Sequence, residues 1–484
     1  MLKNRNSLIK DGTSRSFISK VLTSNCKPIP RKYLFAHWNG GGTNPPILAI
    51  ARRLVQRGHN VRILTQPGLQ SEVEKIGATF VSVSAHQVSD RAGRETDPKG
   101  KIKIRMFDQM RTAAIRLRDR TRIHSRLKTL IAGDGAEMLS YFFGQAPAYA
   151  KDVLTELERG PADLVVAMDM LFGAMAAAEK AQLPFVVLAP NICFYPDPGI
   201  PPFGSGFLPG KGTFGHLRDT IVRAYHEHTI AKGFIGLNAA RQQIGLAPLR
   251  HPYEQVERAA KVLVLTSPHF DFAAKSRRAN VIYAGPELED PAWSEPFSEQ
   301  RARTDERPLV LVGLGTTSQG QAPVLQRILN ALGTLPVLGL ATTGPALEPS
   351  YFDVPENVIL RRSLPHSQVL PEASLTITHA GHGTVIRSLA YGVPVLCIPL
   401  GRDQRDNAAR VVARAVGKRL PSSANTARIR DAIREILRDP NYQNAAQVLG
   451  KQIRKEAESS PTVRILEGIA NAGRNADCGL RIAE

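Results

Sequence analysis

The sequence predicts two α/β domains, each a doubly wound parallel sheet, facing one another across a cleft. Three observations predict this. A strand–turn–helix–strand unit opens at residue 33, the same order restarts at residue 309, and a stretch rich in proline and charge separates the two. The length of 484 residues suits two such domains with real cores.

The first domain opens with the strand Tyr33–His37 and a turn, Gly40-Gly41-Gly42. A helix follows, with Ile47, Leu48, Ile50, Ala51, Leu54 and Val55 on a 3.6-residue period, ending at Arg57-Gly58. Strands are expected at 61–64, 163–168, 185–188, 262–265 and 281–283, with a helix at 172–180 and a Pro/Gly-rich loop at 190–212. The second domain repeats the order with strands at 309–312, 337–340, 358–360, 375–378 and 395–398. The expected divisions are a basic disordered tail at 1–32, a first domain at 33–285, a linker at 286–307, a second domain at 308–450, and a C-terminal helix and tail at 451–484. In sheets of this kind, ligands bind beyond the carboxyl ends of the strands.

The formal net charge is +20, which invites a nucleic-acid reading. Its distribution argues otherwise. Residues 1–32 hold eight Lys/Arg against one acidic residue, and residues 91–128 hold thirteen against four, so two segments carry most of the excess. No nucleic-acid recognition motif accompanies them. The second segment reads as a basic helix, with Ile102, Met106 and Met110, then Ile123, Leu127 and Ile131, recurring at i+4. Two readings of it stay open, a solvated charged face and a helix lying on an anionic membrane. No apolar run is long enough for a membrane span. The four cysteines are scattered without a CxxC, so neither a zinc site nor a disulfide framework is expected. A cytoplasmic location follows, with peripheral attachment at the inner membrane face as the alternative.

Familiar nucleotide loops fail. Gly40 and Gly42 begin a dinucleotide fingerprint, but Pro45 stands at its third glycine. Gly313 and Gly315 fail at Ser318, and Gly210-Lys211 misses the Walker pattern at Ser205 and Gly212. No metal-ligand spacing is present. What survives is Thr378-His379-Ala380-Gly381-His382-Gly383-Thr384, between a buried strand and a helix. Amides at a helix N-terminus bind anions, and glycines let a phosphate approach. Gly315-Thr316-Thr317-Ser318 is a second small polar loop at a strand end, and Asp403-Gln404 lie in a later one. Together they suit a phosphorylated ligand whose hydroxyls are held by a carboxylate and an amide.

This stretch, with Tyr391-Gly392-Val393-Pro394, Ile398-Pro399, Asp403-Gln404 and Asn407-Ala408, resembles the C-terminal signature of the UDP-glycosyltransferases, family 1 glycosyltransferases of GT-B fold and bacterial natural-product type. Arg57-Gly58-His59-Asn60-Val61, Ser267-Pro268-His269-Phe270-Asp271 and Tyr283-Ala284-Gly285-Pro286 resemble parts of the first domain. The likeness spans roughly residues 33–450. It implies that His379, Thr384, Thr316 and the amides near Gly381 and Gly383 meet the donor diphosphate. It implies too that Asp403 and Gln404 hold donor-sugar hydroxyls, and that Leu364 meets the nucleobase through its backbone.

The sequence departs from that pattern at three places. Thr43 stands where the family has its His base, and a neutral hydroxyl cannot serve as one. Asp169 resembles the Asp that orients that His. It is expected to take the acceptor proton itself, unless His37, at a neighbouring strand end, substitutes. Ser363 replaces a stacking aromatic, and Arg387 replaces the Glu that binds ribose, which leaves UDP- and dTDP-sugars both open. Phe194, Tyr195, Phe203 and Phe207, in and beside the loop 196–210, suit a lipophilic acceptor.

The function expected is transfer of a sugar from a nucleoside diphosphate to a hydroxyl of a lipophilic small molecule, inverting and metal-independent, with the donor as co-substrate and no cofactor. The alternatives are a membrane-associated lipid glycosyltransferase and a nucleotide-sugar-binding protein without transferase activity.

Overall fold

The computed structural model describes residues 30–84, 95–96, 102–103, 135–197, 200–272, 278–290, 306–315 and 319–480. Residues 1–29 of the basic tail, most of the 91–128 segment, linker residues 291–305 and Thr316 lie outside the described residues.

Strand β1 (Lys32–Ala36) is buried beyond its first residue, as a central parallel strand must be. It starts at Lys32, inside the stretch expected to be tail. It pairs with β2 (Asn60–Thr65) on one side, Tyr33 beside Val61, and with β4 (Leu164–Met168) on the other, Tyr33 beside Leu164. β3 (Thr79–Ser82), β5 (Phe185–Ala189), β6 (Lys261–Val264) and β7 (Val281–Tyr283) complete a sheet of order β3-β2-β1-β4-β5-β6-β7. All of its neighbours are parallel.

Helix α1 (Asn44–Gln56) joins β1 to β2. Pro45 and Pro46 occupy its first turn, where no amide proton is needed. Its stripe Ile47, Ile50, Ala51 and Leu54 is buried against Phe35 and Ile63. The other face carries α2 (Gly135–Gly144), α3 (Ala146–Arg159), α4 (Phe172–Lys180) and the long α5 (Gly212–Gln243). Ile102, expected to head the helical stripe of the basic segment, instead lies in a two-residue antiparallel ribbon with Glu95 and Thr96.

The second sheet is β8 (Leu309–Gly313), β9 (Leu338–Thr342), β10 (Val358–Arg361), β11 (Ala373–Thr378), β12 (Val395–Cys397) and β13 (Gly417–Arg419), in the order β10-β9-β8-β11-β12-β13 and parallel throughout. It carries α6 (Ala322–Leu332), α7 (His382–Ala390), α8 (Gln404–Ala413) and α9 (Thr426–Arg438).

Two helices end the chain where a single C-terminal helix and tail was expected. α10 (Pro440–Glu458) packs on α7 so closely that a Cβ on Gly450 would lie 2.3 Å from the carbonyl oxygen of Leu389. α11 (Thr462–Leu480) crosses back to the first domain. Its Leu466 and Ala470 are buried in the same cluster as Tyr33 and Ile63, and Glu467 accepts from Arg57 (2.6 Å) and His59 (2.9 Å). Among the described residues, no helix is long and apolar enough to cross a membrane.

In each sheet the strand order reverses beside the first strand, between β1 and β4 and between β8 and β11. Ligands bind at such switch points. The loops that leave these four strands face one another.

Candidate active site

A cleft of about 1260 Å³, open to solvent, separates the two switch points. One wall belongs to the loop after β1 (Trp38 to Pro45) with Met138, Met168, Met170, Asn191 and Phe203. The other belongs to the loops after β8, β9, β10, β11 and β12. The sequence-predicted Leu364, His379, Gly381, Gly383, Thr384, Arg387, Asp403 and Gln404 all line it, as does Thr43.

The loop between β11 and α7 is built around His379. A Cβ on Gly381 would stand 2.6 Å from its Nε2, and one on Gly315, which has φ +91°, would stand 3.1 Å away. A side chain on Gly381 would therefore displace the imidazole, and Gly315 holds a backbone angle that disfavours one. Burial lowers the His379 pKa to about 4, so the ring is neutral and acts as a hydrogen-bond donor rather than a counter-ion. Ala380 holds φ +69°, a strained angle for a residue with a Cβ. Asn407 supports it by donating to the Ala380 carbonyl (3.0 Å). Gly381 is the N-cap of α7, and no side chain caps that end. The first amides of the helix are left for an anion.

Asp403 is the N-cap residue of α8, yet its carboxylate makes no capping bond; it accepts from Asn407 Nδ2 (2.9 Å). Gln404 is fixed at both ends of its amide. Its Oε1 accepts from Leu400 and Gly401 (2.7 and 3.0 Å), and its Nε2 donates to Gln319 (2.7 Å).

Arg387 does not wait for an external anion. Its Nη1 donates to Asp290 Oδ1 (2.9 Å) and its Nε to the Gly383 carbonyl (3.0 Å), while the other Asp290 oxygen accepts from the Ser367 amide (3.1 Å). A carboxylate is thus restored beside the position where the family resemblance leads one to expect a glutamate, but it comes from the connecting segment and is already paired. His366, in the predicted Leu364 loop, is half-buried beside Gly313 and lines the cleft, and its Nδ1 has no partner.

Across the cleft, Asp169 follows β4 and is 3% exposed; its neighbours Met168 and Met170 line the wall, and Asp169 lies just behind it. Its Oδ1 has no hydrogen-bond partner. Burial, and then the charge of Asp403, push its pKa up to about 8. His37 is fully buried and is absent from the cleft wall. Its Nε2 meets Asn44 Oδ1 (2.9 Å), an atom that can only accept, so the proton is on Nε2 and the unpartnered Nδ1 is bare. Asn44 Nδ2 donates on to Asn39 Oδ1 (2.8 Å), and the Asn39 main-chain N–H donates to Gln66 Oε1 (2.5 Å). This chain shapes the loop that presents Thr43, whose buried Oγ1 has no partner either.

The loop after residue 195 forms the rim. Phe203 lines the cleft and also a smaller hollow behind it, which is walled by Phe194, Tyr195, Phe207 and Tyr253. Trp38 and Met138, which no motif marks, face the cleft from the same side, with Trp38 edge-on to Phe142 at 5.2 Å.

A family model described as the C-terminal domain of erythromycin biosynthesis protein CIII-like proteins matches residues 327–468. The 4'-demethylrebeccamycin synthase of Lentzea aerocolonigenes is 27% identical over 450 residues, 90% of this chain and 99% of the relative. This chain is similar to glycosyltransferases over most of its length. Among solved structures, the calicheamicin glycosyltransferase CalG4 superposes with a TM-score of 0.66 at 19% identity, covering 92% of this chain and 99% of the other. The glycosyltransferase VinC, in complex with dTDP, gives 0.58 at 19% identity, covering 91% and 99%. The two facing sheets are those of the GT-B glycosyltransferases, and the β11–α7 loop of this homologue falls inside the matched domain.

Proposed function

We propose that this glycosyltransferase moves a sugar from a UDP or dTDP donor to a hydroxyl of a lipophilic small molecule. The observation that carries the reading is that the His379 loop and the uncapped end of α7 line one wall of the cleft while the end of β4, at Met168 and Met170, and the apolar rim line the other. In this reading the diphosphate sits on the α7 amides, with His379 and Thr384 donating to it as the leaving group gains charge. Asp403 and Gln404 hold the sugar. The acceptor lies against Trp38, Met138 and Phe203, and its hydroxyl gives its proton to Asp169 as it attacks. Orientation across the two domains supplies the proximity. Inversion and metal independence come with the family resemblance.

A second reading, nucleotide-sugar binding without turnover, is favoured by Thr43 at the base position and by the depth of Asp169. A thermal-shift panel of UDP- and dTDP-sugars separates the donors, because a bound ligand stabilises the fold by mass action. Turnover with a panel of phenolic and macrolide acceptors separates the readings. Donor-dependent stabilisation with glycoside formation is expected; stabilisation with no product from any acceptor would favour the second reading.

A further inference from the structure

The first turn of α8 touches three parts of the site. Asp403 and Gln404 face the cleft, Asn407 supports the Ala380 carbonyl, and Asp406 points the other way. The Asp406 carboxylate reaches into the first domain. It accepts from the Gly204 amide at 2.5 Å and from the Gly206 amide at 2.7 Å, one oxygen to each. The Gly206 carbonyl in turn accepts from Arg419 (2.8 Å). Gly206 has φ +65°, and a Cβ there would lie 2.5 Å from Cβ of Arg405. The loop that carries Phe203 is therefore seated on the second domain, backbone against helix, with no space for a side chain. Charge-assisted bonds of this kind, buried on both sides, are the strong ones.

We propose that Asp406 is a positioning residue that registers the acceptor wall on the donor-binding helix. It rests on the proposed sugar transfer: the turn that holds the donor sugar through Asp403 and Gln404 also holds Phe203 in place through Asp406. Donor and acceptor are thereby set against one short rigid element rather than against two independently moving domains. Asn at 406 would keep the shape but replace one acceptor oxygen with an amide that faces another N–H.

Hydrogen–deuterium exchange on the full chain tests this, with dTDP and UDP as the probes. In the wild type, the amides of 203–207 should be protected, and a saturating nucleotide should slow them further. In Asp406→Asn these amides should exchange at least about tenfold faster, the nucleotide should no longer slow them, and nucleotide affinity by calorimetry should stay within about twofold. Should Asp406→Asn fail to fold, Gly206→Ala and Arg419→Met disturb the same seat from other atoms and should show the same exchange. Unchanged loop exchange would overturn the proposal, and so would a parallel loss of protection in 379–386. A wild type that binds neither nucleotide defeats the proposed sugar transfer instead, and the exchange of 203–207 still decides whether Asp406 anchors the loop.

Discussion

Asp169 of the first domain and Asp403 of the second are close enough across the cleft for the charge of one to raise the proton affinity of the other. With burial as the larger cause, the Asp169 carboxyl is pushed up to about 8. A base must be unprotonated to act, so turnover should rise with pH through that region and level off above it. Asp403→Asn removes the like charge and should move the rise to lower pH. A pH–rate profile of kcat, taken with saturating donor, measures both.

Asp169→Asn should lower turnover by about 10²–10⁴, the usual contribution of a general base, with nucleotide binding unaltered. His37→Gln should leave the shape of the pH–rate profile intact, since burial lowers that ring to about 4, well below the rise, and its Nε2 is held by Asn44. Loss of the pH dependence in His37→Gln would shift the base to His37.

Gly381→Ala should weaken nucleotide binding as His379→Ala does, although it deletes no polar group. The added Cβ would meet the imidazole at 2.6 Å and displace it. A lost hydrogen bond to a charged ligand predicts about a ten- to hundredfold weaker Kd for either variant. Calorimetry with UDP and dTDP gives the comparison.

Asp290→Ala leaves the Arg387 guanidinium in the cleft wall without its carboxylate. Breaking such a buried pair costs about 3–5 kcal/mol, whereas removing both charges is much cheaper. Asp290→Ala should therefore be strongly destabilised, and Asp290→Ala with Arg387→Met should regain most of the loss. Urea midpoints on the three proteins check it.

Stability should fall steeply on acidification. Burial lowers His37, His226, His366, His379 and His382 to about 4 from 6.5. Each contributes stability above 6.5 that is lost as pH falls toward 4. Asp169 and Asp406, raised from 3.8 to about 8 and about 6, work the other way: their contribution is full below 3.8 and lost as pH rises through those values. Asp403, Glu72 and Glu287 are raised by burial and join these two, while Glu179, Glu254, Asp271 and Glu467 are held low and join the histidines. The histidines make the acid side dominate, and urea midpoints should drop from pH 7 to 4.5.

The sequence revealed the parts of the site that are local. His379, Gly381, Gly383 and Thr384 occupy one strand-to-helix turn, and Asp403 and Gln404 another, so residue type and spacing carried the chemistry. Most strands were legible for the same reason, each being a short apolar run bounded by turn residues; β3 and β13 were missed, since Thr79–Ser82 is a half-exposed edge and Gly417–Arg419 is short and polar. What stayed hidden depends on pairs far apart in the chain. Arg387 finds Asp290 97 positions away, and Gly204 finds Asp406 202 positions away. Periodicity holds no record of such pairs. Trp38 and Met138 were missed because an apolar side chain facing a cleft has the same sequence signature as one facing a core. The tenancy of α11 was missed because an amphipathic helix does not say which domain it will cover.

That last helix makes the first domain discontinuous. Its sheet starts at Lys32, the chain then leaves to build the whole second domain, and Leu466 and Ala470 return to finish the apolar layer over Tyr33 and Ile63. Until α11 is made, the apolar layer over Tyr33 and Ile63 lacks Leu466 and Ala470. The order of completion is the reverse of the order of translation, and the two domains are joined by two crossings rather than one hinge.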